Sequence, residues 1–483
     1  MKSSLIQRLL QKDVTLWSDQ KSIQNEVHDR LGWLDIPSFF SDKIYSIEAF
    51  ERDIKHTHIV LLGMGGSSLV SEVFLQSMES SQIKRHFHVV DTTDPQVISD
   101  LTHNLPLEQT LFIVASKSGT TLEVTSLFQY FWSLVKSPSQ FIAITDEGTE
   151  LHQKALELDF LRIWINPNTI GGRFAALSYF GLIPFALMGG DLKKLWNSLM
   201  QALPQLQSED SPALSLAQQL YQAHSKGIHK LTLQSTQATN GLPLWVEQLV
   251  AESTGKANKG FLPILQDHGQ TPPQDSYIHA FGFADELDEN MTVHSVSVFN
   301  EVEDLAAEFM MWQMATALLG SMLKINPFDQ PHVSTTKKNT VSYLQHETPA
   351  QSIAQQIRSV MVAPEKINDY MNDLKPSEVV CILSYLPQTD TAQDKLDSLV
   401  NRIAQHTPNL TLNVGPRYLH STGQFHKGGK NVGKYIILTQ DQDNAPRVPD
   451  ENYDFNTLKI AQALGDYEAL QNNNRKVILV HNL

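Results

Sequence analysis

A single cysteine, Cys381, stands among 483 residues. One thiol excludes an intramolecular disulfide and a cysteine-rich metal site. Its setting, VVCILSY, reads as a buried strand, so a core thiol is expected there rather than a nucleophile. Basic residues are also in short supply: 37 Lys and Arg stand against 52 Asp and Glu, a formal net charge of −15. That balance disfavours nucleic acid and acidic membrane surfaces as partners. A phosphate-bearing ligand would need a local positive site against the global field. Long apolar runs are missing too, and no segment is long enough to span a bilayer. The first residues, MKSSLIQRLLQKD, are amphipathic, with Gln7 and Arg8 breaking any signal-peptide core. They read as a first helix, and the expected location is the cytoplasm. What remains is an ordinary globular composition, 41% hydrophobic and 18% charged, in a chain long enough for two or three domains.

The most informative stretch is Leu111–Glu123, LFIVASKSGTTLE. An apolar run reads as a buried strand and ends in Ser116, Lys117, Ser118, Gly119, Thr120 and Thr121. A helical pattern through Leu122, Leu127 and Phe131 follows. Hydroxyls and one lysine at a strand end, with helix N–H groups behind them, suit a small oxyanion such as phosphate. A capped helix turn is the plain alternative. Upstream, His58–Leu62 reads as a strand, followed by Gly63-Met64-Gly65-Gly66-Ser67-Ser68 and a helix to Met78. Strand, glycine-rich turn and helix open a doubly wound α/β domain, in which the glycines let a ligand approach the backbone. The spacing departs from G-x-G-x-x-G, because Ser holds the last glycine's place. Asp91, after the strand Phe87–Val90, keeps a dinucleotide reading open, though the pair Ser67–Ser68 suits a sugar or phosphate better. Strands at Phe141–Thr145 and Leu161–Ile165 continue the alternation. It argues for a parallel sheet with helices on both faces and a ligand at the carboxyl ends of the strands.

Further on, Gly171-Gly172 clears side-chain bulk before Arg173, so the guanidinium can meet a substrate or a backbone turn; a surface arginine at a helix start is the alternative. A second α/β unit opens with the strand Lys230–Leu233 and a helix over Trp245–Thr254. Gln248 and Glu252, four apart, share a helix face. Gly255 is expected as the C-terminal cap. Glu252 then lies in the last turn, where the helix dipole and burial would raise its pKa toward the range a general base needs. A solvated glutamate at a helix end is the alternative. Met291–Phe299 reads as a strand, and residues 301–323 as a strongly apolar helix, compatible with core or with a subunit interface. In Asn326–Lys338 the prolines Pro327 and Pro331 end that helix and hold an ordered loop, with Gln330 and Lys337 seven apart. Val379–Tyr385, Leu410–Val414 and Tyr435–Thr439 read as strands of a third, smaller α/β lobe. His420 and His426 lie in LHSTGQFHKGG without a metal-ligand partner set. Gly428–Lys434 nearly matches a nucleotide P-loop, but Tyr435 replaces the magnesium-binding hydroxyl and a strand follows, so that motif is rejected.

GMGGSS at 63–68, SKSGTT at 116–121, GGRF at 171–174 and EQLVAESTGK at 247–256 occur in the order seen in the glucose-6-phosphate isomerase family, and NPFDQP at 326–331 with Lys337 continues the resemblance. HSTGQFHKGG and the closing AQALGDYEAL are similar to the isomerase half of bifunctional transaldolase/phosphoglucose isomerases, with the transaldolase barrel absent. The resemblance implies two doubly wound parallel-sheet sugar-isomerase domains, 56–190 and 191–345. An N-terminal helical arm, 1–55, carries no chemistry, and a small C-terminal α/β lobe covers 346–483. It implies a homodimer acting on a sugar phosphate, with no cofactor and no metal. Ser116, Ser118 and Thr121 would hold the phosphate, with Lys117, Gly66 and Ser67 close by. Gly172 and Arg173 would flank the reacting carbons, and Gln248 and Gln330 would contact the substrate. Glu252 would be the base that moves a proton between C1 and C2 through a cis-enediolate, and Arg173 would stabilise its oxygens. Lys337 and a histidine, His426 in preference to His420, would open the sugar ring. Ala175, His332 and Ser334 depart from the family pattern, as does a histidine that follows the Glu and Lys motifs. Broader specificity, including mannose 6-phosphate, stays open, as does a non-catalytic sugar-phosphate-binding regulator, whose signature would be the loss of Glu252.

Overall fold

The computed structural model describes residues 4–268, 270–288 and 291–483. Its strands form three sheets, each parallel throughout. The first contains β1 (His58–Gly63), β2 (His86–Val90), β3 (Thr110–Ala115), β4 (Phe141–Asp146) and β5 (Arg162–Asn166), in the spatial order β2-β1-β3-β4-β5. Its central strands are near-continuous apolar runs because both of their faces are covered. The second sheet has the order β7-β6-β8-β9, from β6 (Lys230–Ser235), β7 (Leu262–Asp267), β8 (Ser276–Phe283) and β9 (Ser295–Phe299). The third has the order β10-β14-β13-β11-β12, from β10 (Met361–Val362), β11 (Val379–Tyr385), β12 (Leu410–Val414), β13 (Gly433–Thr439) and β14 (Lys476–His481).

Order dictates where a ligand can sit. In the first sheet the chain leaves β1 for one side and returns to build β3 on the other, so the loops after β1 and β3 diverge and leave a crevice at their carboxyl ends. Those two loops are Met64–Ser68 and Ser116–Thr121. The helices that follow, α1 (Leu69–Ser77) and α2 (Leu122–Val135), start at that crevice.

One helix of the second unit crosses to the same crevice. α3 (Gly241–Thr254) is buried on nearly every side, with Trp245, Val246, Leu249 and Val250 at 0–1% exposure. It packs against α1, α4 (Leu305–Met322) and a short C-terminal helix, α6 (Gly423–Gly428). Gly255 is the C-terminal cap, as expected: its N–H donates to the Ala251 carbonyl at 2.9 Å, with φ −74°. Its lack of a side chain serves close packing: a Cβ there would lie 2.5 Å from the Phe425 Cα of α6. The apolar α4 is core, with Leu305, Phe309, Trp312 and Leu319 at 0% exposure within the single chain. Beyond it, α5 (Val333–Leu344) lies along α7 (Phe455–Asn472).

The N-terminal segment is pinned to the first unit. Leu31 makes an antiparallel bridge with Ile170, and Trp33, fully buried, lies against Phe174 with ring centroids 5.1 Å apart. Among the described residues no helix is long and apolar enough to cross a membrane.

Candidate active site

A cleft of ≈ 500 Å³ opens at the carboxyl ends of β1 and β3. Gly66 and Ser67 line it from the first loop, and Lys117, Ser118 and Thr121 from the second. Gly172 and Arg173, then Gln248 and Glu252 of α3, Gln330, Lys337 of α5, and His420 complete the wall. Residues far apart in sequence thus converge because three sheets present their connecting segments to one crevice.

The glycines are required by close approach. A Cβ at Gly66 would fall 2.1 Å from the carbonyl oxygen of Gly172, so the two loops touch backbone to backbone. In the second loop Gly119 has φ +70°, a conformation that L side chains avoid. Ser116 stands behind that loop: its hydroxyl accepts from the Gly119 N–H at 3.1 Å and meets the Thr121 hydroxyl at 3.0 Å. It shapes the cradle while Ser118 and Thr121 face the cleft. Lys117 is ion-paired with Asp146 and donates to the Asn168 carbonyl at 3.1 Å.

On the cleft floor, Arg173 Nη1 lies 3.3 Å from Glu252 Oε1. The guanidinium is 5% exposed and its whole fork is occupied. Nε donates to Ser253 Oγ at 2.8 Å, Nη1 to Gln330 Oε1 at 3.0 Å, and Nη2 to the carbonyls of Pro327 and Asp329, both at 2.8 Å. Burial pulls its pKa down, while Glu252 and Asp329 hold it up. Lys256 braces the same loop, donating to Asn326 O at 2.8 Å and to Asp329 Oδ1 at 2.5 Å. Its ammonium is brought to about 8, chiefly by burial and next by the neighbouring Arg173. Glu252 is 8% exposed, which sets aside the solvated-glutamate alternative, and Arg173 adds a counter-charge that the helix-end argument omits. Gln248 Nε2 reaches Glu252 Oε2 at 3.2 Å and the His420 carbonyl at 2.8 Å.

Of the two histidines, His420 faces the cleft and His426 does not. His426 is fully buried among Tyr418, Tyr435 and the cations Lys427 and Arg475, neither ring nitrogen has a hydrogen-bond partner, and burial drives its pKa well below the ordinary value. The glycines beside it mark close packing: a Cβ at Gly428 would lie 2.5 Å from His332 Nδ1. His332 in turn meets Gln424 Nε2 at 2.9 Å, so this departure from the family pattern is accommodated by α6.

His420 is held by a residue not singled out in the sequence. Its Nε2 is 2.9 Å from Oε1 of Glu123, in the first turn of α2, and Gln462 Nε2 of α7 donates to the same oxygen at 2.7 Å. Burial works to raise the Glu123 carboxyl, but His420 and Lys337 outweigh it and leave it below the ordinary value. The helix pattern alone offered a hint: Glu123 shares the face of α2 that carries Leu127 and Phe131, four and eight residues on, where a carboxylate needs a partner. Beside this pair, Ser421 Oγ donates to Glu247 Oε1 at 3.1 Å. Consecutive residues of α3, Glu247 and Gln248, therefore hold consecutive residues of the His420 segment. Arg30, Asp146, Thr149 and Asn168 also line the cleft without having been read from the sequence.

Chemically, the arrangement offers a hydroxyl-rich anion cradle, one buried carboxylate beside a guanidinium, and a histidine–carboxylate pair next to a lysine. A deprotonated carboxylate can take and return a proton, and the guanidinium can stabilise oxygen charge nearby.

Comparison with known proteins bears on the chain's family and fold. The family model of phosphoglucose isomerase matches residues 11–260, which include the cradle, Arg173 and Glu252 but stop before Lys337 and His420. The glucose-6-phosphate isomerase of Campylobacter jejuni is 26% identical over 341 residues, 58% of this chain and 83% of that protein. That of Mycoplasmopsis pulmonis is 25% identical over 393 residues, 66% of this chain and 91% of that protein. Among solved structures, a hypothetical protein from Thermus thermophilus superposes with a TM-score of 0.61 at 21% identity, covering 71% of this chain and 95% of its own. A glucose-6-phosphate isomerase from Chlamydia trachomatis gives 0.51 at 16% identity, covering 72% and 81%. At these identities the superpositions speak for the fold.

Proposed function

The chain belongs to the phosphoglucose isomerase family, and from that premise we propose that it interconverts glucose 6-phosphate and fructose 6-phosphate with Glu252 as the single base. The observation that carries the reading is the pairing of Glu252 with Arg173 on the floor of a cleft whose rim is a hydroxyl cradle.

The substrate phosphate occupies the cradle of Ser67, Ser118 and Thr121, with Lys117 beside it. His420, oriented by Glu123, and Lys337 exchange protons with the ring oxygen and the C1 hydroxyl, and the ring opens. Glu252 then removes the proton from C2 of the aldose, giving the cis-enediolate, and returns it to C1. Both carbons present that proton on one face, so one carboxylate suffices. Arg173 carries the developing oxyanion charge; its filled hydrogen-bond fork keeps it in place, so little reorganisation accompanies the step. The carbon proton taken from C2 returns at C1 and the O2 hydroxyl proton passes to O1 across the enediolate, so the two half-reactions together leave the substrate's composition unchanged.

The same family reading extends to a homodimer in the cytoplasm and to sugar-isomerase domains at 56–190 and 191–345; sedimentation measures the first. A coupled assay tests the function: protein treated with EDTA is given fructose 6-phosphate, and glucose 6-phosphate is followed. Turnover on the order of ~10 s⁻¹ is expected. No turnover, with fructose 6-phosphate still raising the melting temperature, would replace the isomerase by a sugar-phosphate-binding protein.

A further inference from the structure

Four cations line the cleft: Arg30, Lys117, Arg173 and Lys337. Two are committed, Lys117 to Asp146 and Arg173 to Glu252. Lys337 adjoins the Glu123–His420 pair at the ring-opening side, where its charge is felt by Glu123. Arg30 is different. Among the described residues no carboxylate pairs with it, and its Nη1 donates only to the carbonyl of its neighbour Asp29, at 3.1 Å.

Its place is fixed by the backbone on either side. Gly32 N–H donates to the Thr169 carbonyl at 3.1 Å, and a Cβ on Gly32 would lie 2.0 Å from Thr169 Oγ1, so this segment rides directly on the loop before Gly171. The Leu31–Ile170 bridge and the Trp33–Phe174 contact fix both neighbours of that point. Arg30 therefore stands over the Asn168–Gly172 edge of the cleft, the edge to which Lys117 also donates. Its charge reaches Asp146 on the cradle side and Arg173 on the floor.

Charge counting then asks for a partner. A sugar phosphate near neutral pH carries close to two negative charges, because its second pKa is about 6. The cradle's own lysine is offset by Asp146, and the whole chain is at −15. We propose that Arg30, from the N-terminal segment, is a further substrate-binding residue that closes on the phosphoryl group opposite Ser118 and Thr121. A guanidinium suits this task, since its planar fork meets two phosphate oxygens at once. The segment read from the sequence as a packing arm without chemistry thus supplies the cradle's uncommitted cation. This inference rests on the sugar-phosphate reading above.

The test is steady-state kinetics of Arg30→Met and Arg30→Lys with fructose 6-phosphate, together with inhibition by inorganic phosphate. Arg30→Met is expected to raise KM and the inhibition constant of phosphate by the same factor, about tenfold, while kcat changes much less; tenfold corresponds to about 1.4 kcal/mol. Arg30→Lys is expected to fall between, because a point charge remains. The melting temperature is expected to stay near the wild-type value, since the side chain has no distant partner to lose. Unchanged KM and phosphate inhibition would overturn the proposal. So would a fall in kcat at constant KM, which would place Arg30 at the reacting carbons. A drop in melting temperature that Arg30→Lys does not repair, with phosphate inhibition intact, would make the residue structural. Failure of the wild-type protein to turn over fructose 6-phosphate would instead overturn the underlying function.

Discussion

His420 Nε2 and Glu123 Oε1 lie 2.9 Å apart although 297 residues separate them. A carboxylate in that place fixes the ring's orientation and the nitrogen that carries the proton. Glu123→Gln and His420→Asn are therefore expected to slow ring opening, each lowering kcat on fructose 6-phosphate by about 10²-fold. His426→Leu should act on melting temperature more than on kcat. Exchange NMR of the glucose 6-phosphate anomers measures ring opening separately, and an unchanged anomer exchange rate in His420→Asn would remove His420 from that role.

Glu252→Gln keeps the shape of the floor and removes the base. Turnover should fall by about 10³-fold or more, while fructose 6-phosphate still raises the melting temperature. Ring opening should persist, so this variant should interconvert the anomers without isomerising them. Near-wild-type isomerisation would require a different base.

Arg173→Lys replaces five donors by three on a shorter side chain with a rounder head. The four hydrogen-bonded partners of Arg173, on Ser253, Gln330, Pro327 and Asp329, cannot all be served. Turnover should drop by about 10²-fold, with a lower melting temperature. Arg173→Ala should cost more, about 3–5 kcal/mol, because Glu252 stays buried and loses its ion-pair partner. Equal melting temperatures for all three proteins would show that the loop does not depend on the guanidinium.

Glu308 reports on pH. Burial pushes its carboxyl up to about 7, against hydrogen bonds from Ser297 Oγ at 2.5 Å and Trp312 Nε1 at 2.8 Å. The folded chain thus keeps a proton that the unfolded chain releases above 4.5, so this group's contribution to stability is fullest below 4.5 and is lost as pH rises toward about 7. Glu308→Gln should flatten that fall and gain on the wild type by up to about 3 kcal/mol at pH 8. Melting temperatures of both proteins between pH 5 and 8 check this; parallel curves would contradict it.

Asp146 is ion-paired with Lys117, the lysine that the proposed function sets beside the phosphate. Asp146→Asn should lower KM for fructose 6-phosphate severalfold, and the gain should shrink as salt is added. A raised KM would mean that Asp146 holds Lys117 in its working position.

The first sheet was legible almost to the residue, because strands covered on both faces must be apolar runs, and β1, β3 and β4 are. β7 and β8 were not, since Pro263, Gln266, Asp267, His279 and Gly282 interrupt them; His279 is tolerated because Ser295 and Ser297 hydrogen-bond both ring nitrogens. Strand β9 is Ser295–Phe299, shorter than the Met291–Phe299 expected. β14 follows the long α7 and closes the third sheet, which has as many strands as the first. The cradle, Arg173 and Glu252 were legible because their neighbours in sequence are also their neighbours in space. The histidine was not: His426, the one preferred, lies in α6, which is buried throughout and away from the cleft. Arg30 carries no local motif, and Glu123 shows in the sequence only as a carboxylate on the apolar side of its helix; the folded contacts single both out.

The Gln462–Glu123 hydrogen bond joins α7 to α2 of the first unit. On a ribosome, the cradle, Arg173 and Glu252 emerge well before His420, and Gln462 emerges later still. The contacts that hold His420 in the finished molecule, from Glu123 and through it from Gln462, are thus completed only once α7 has been made.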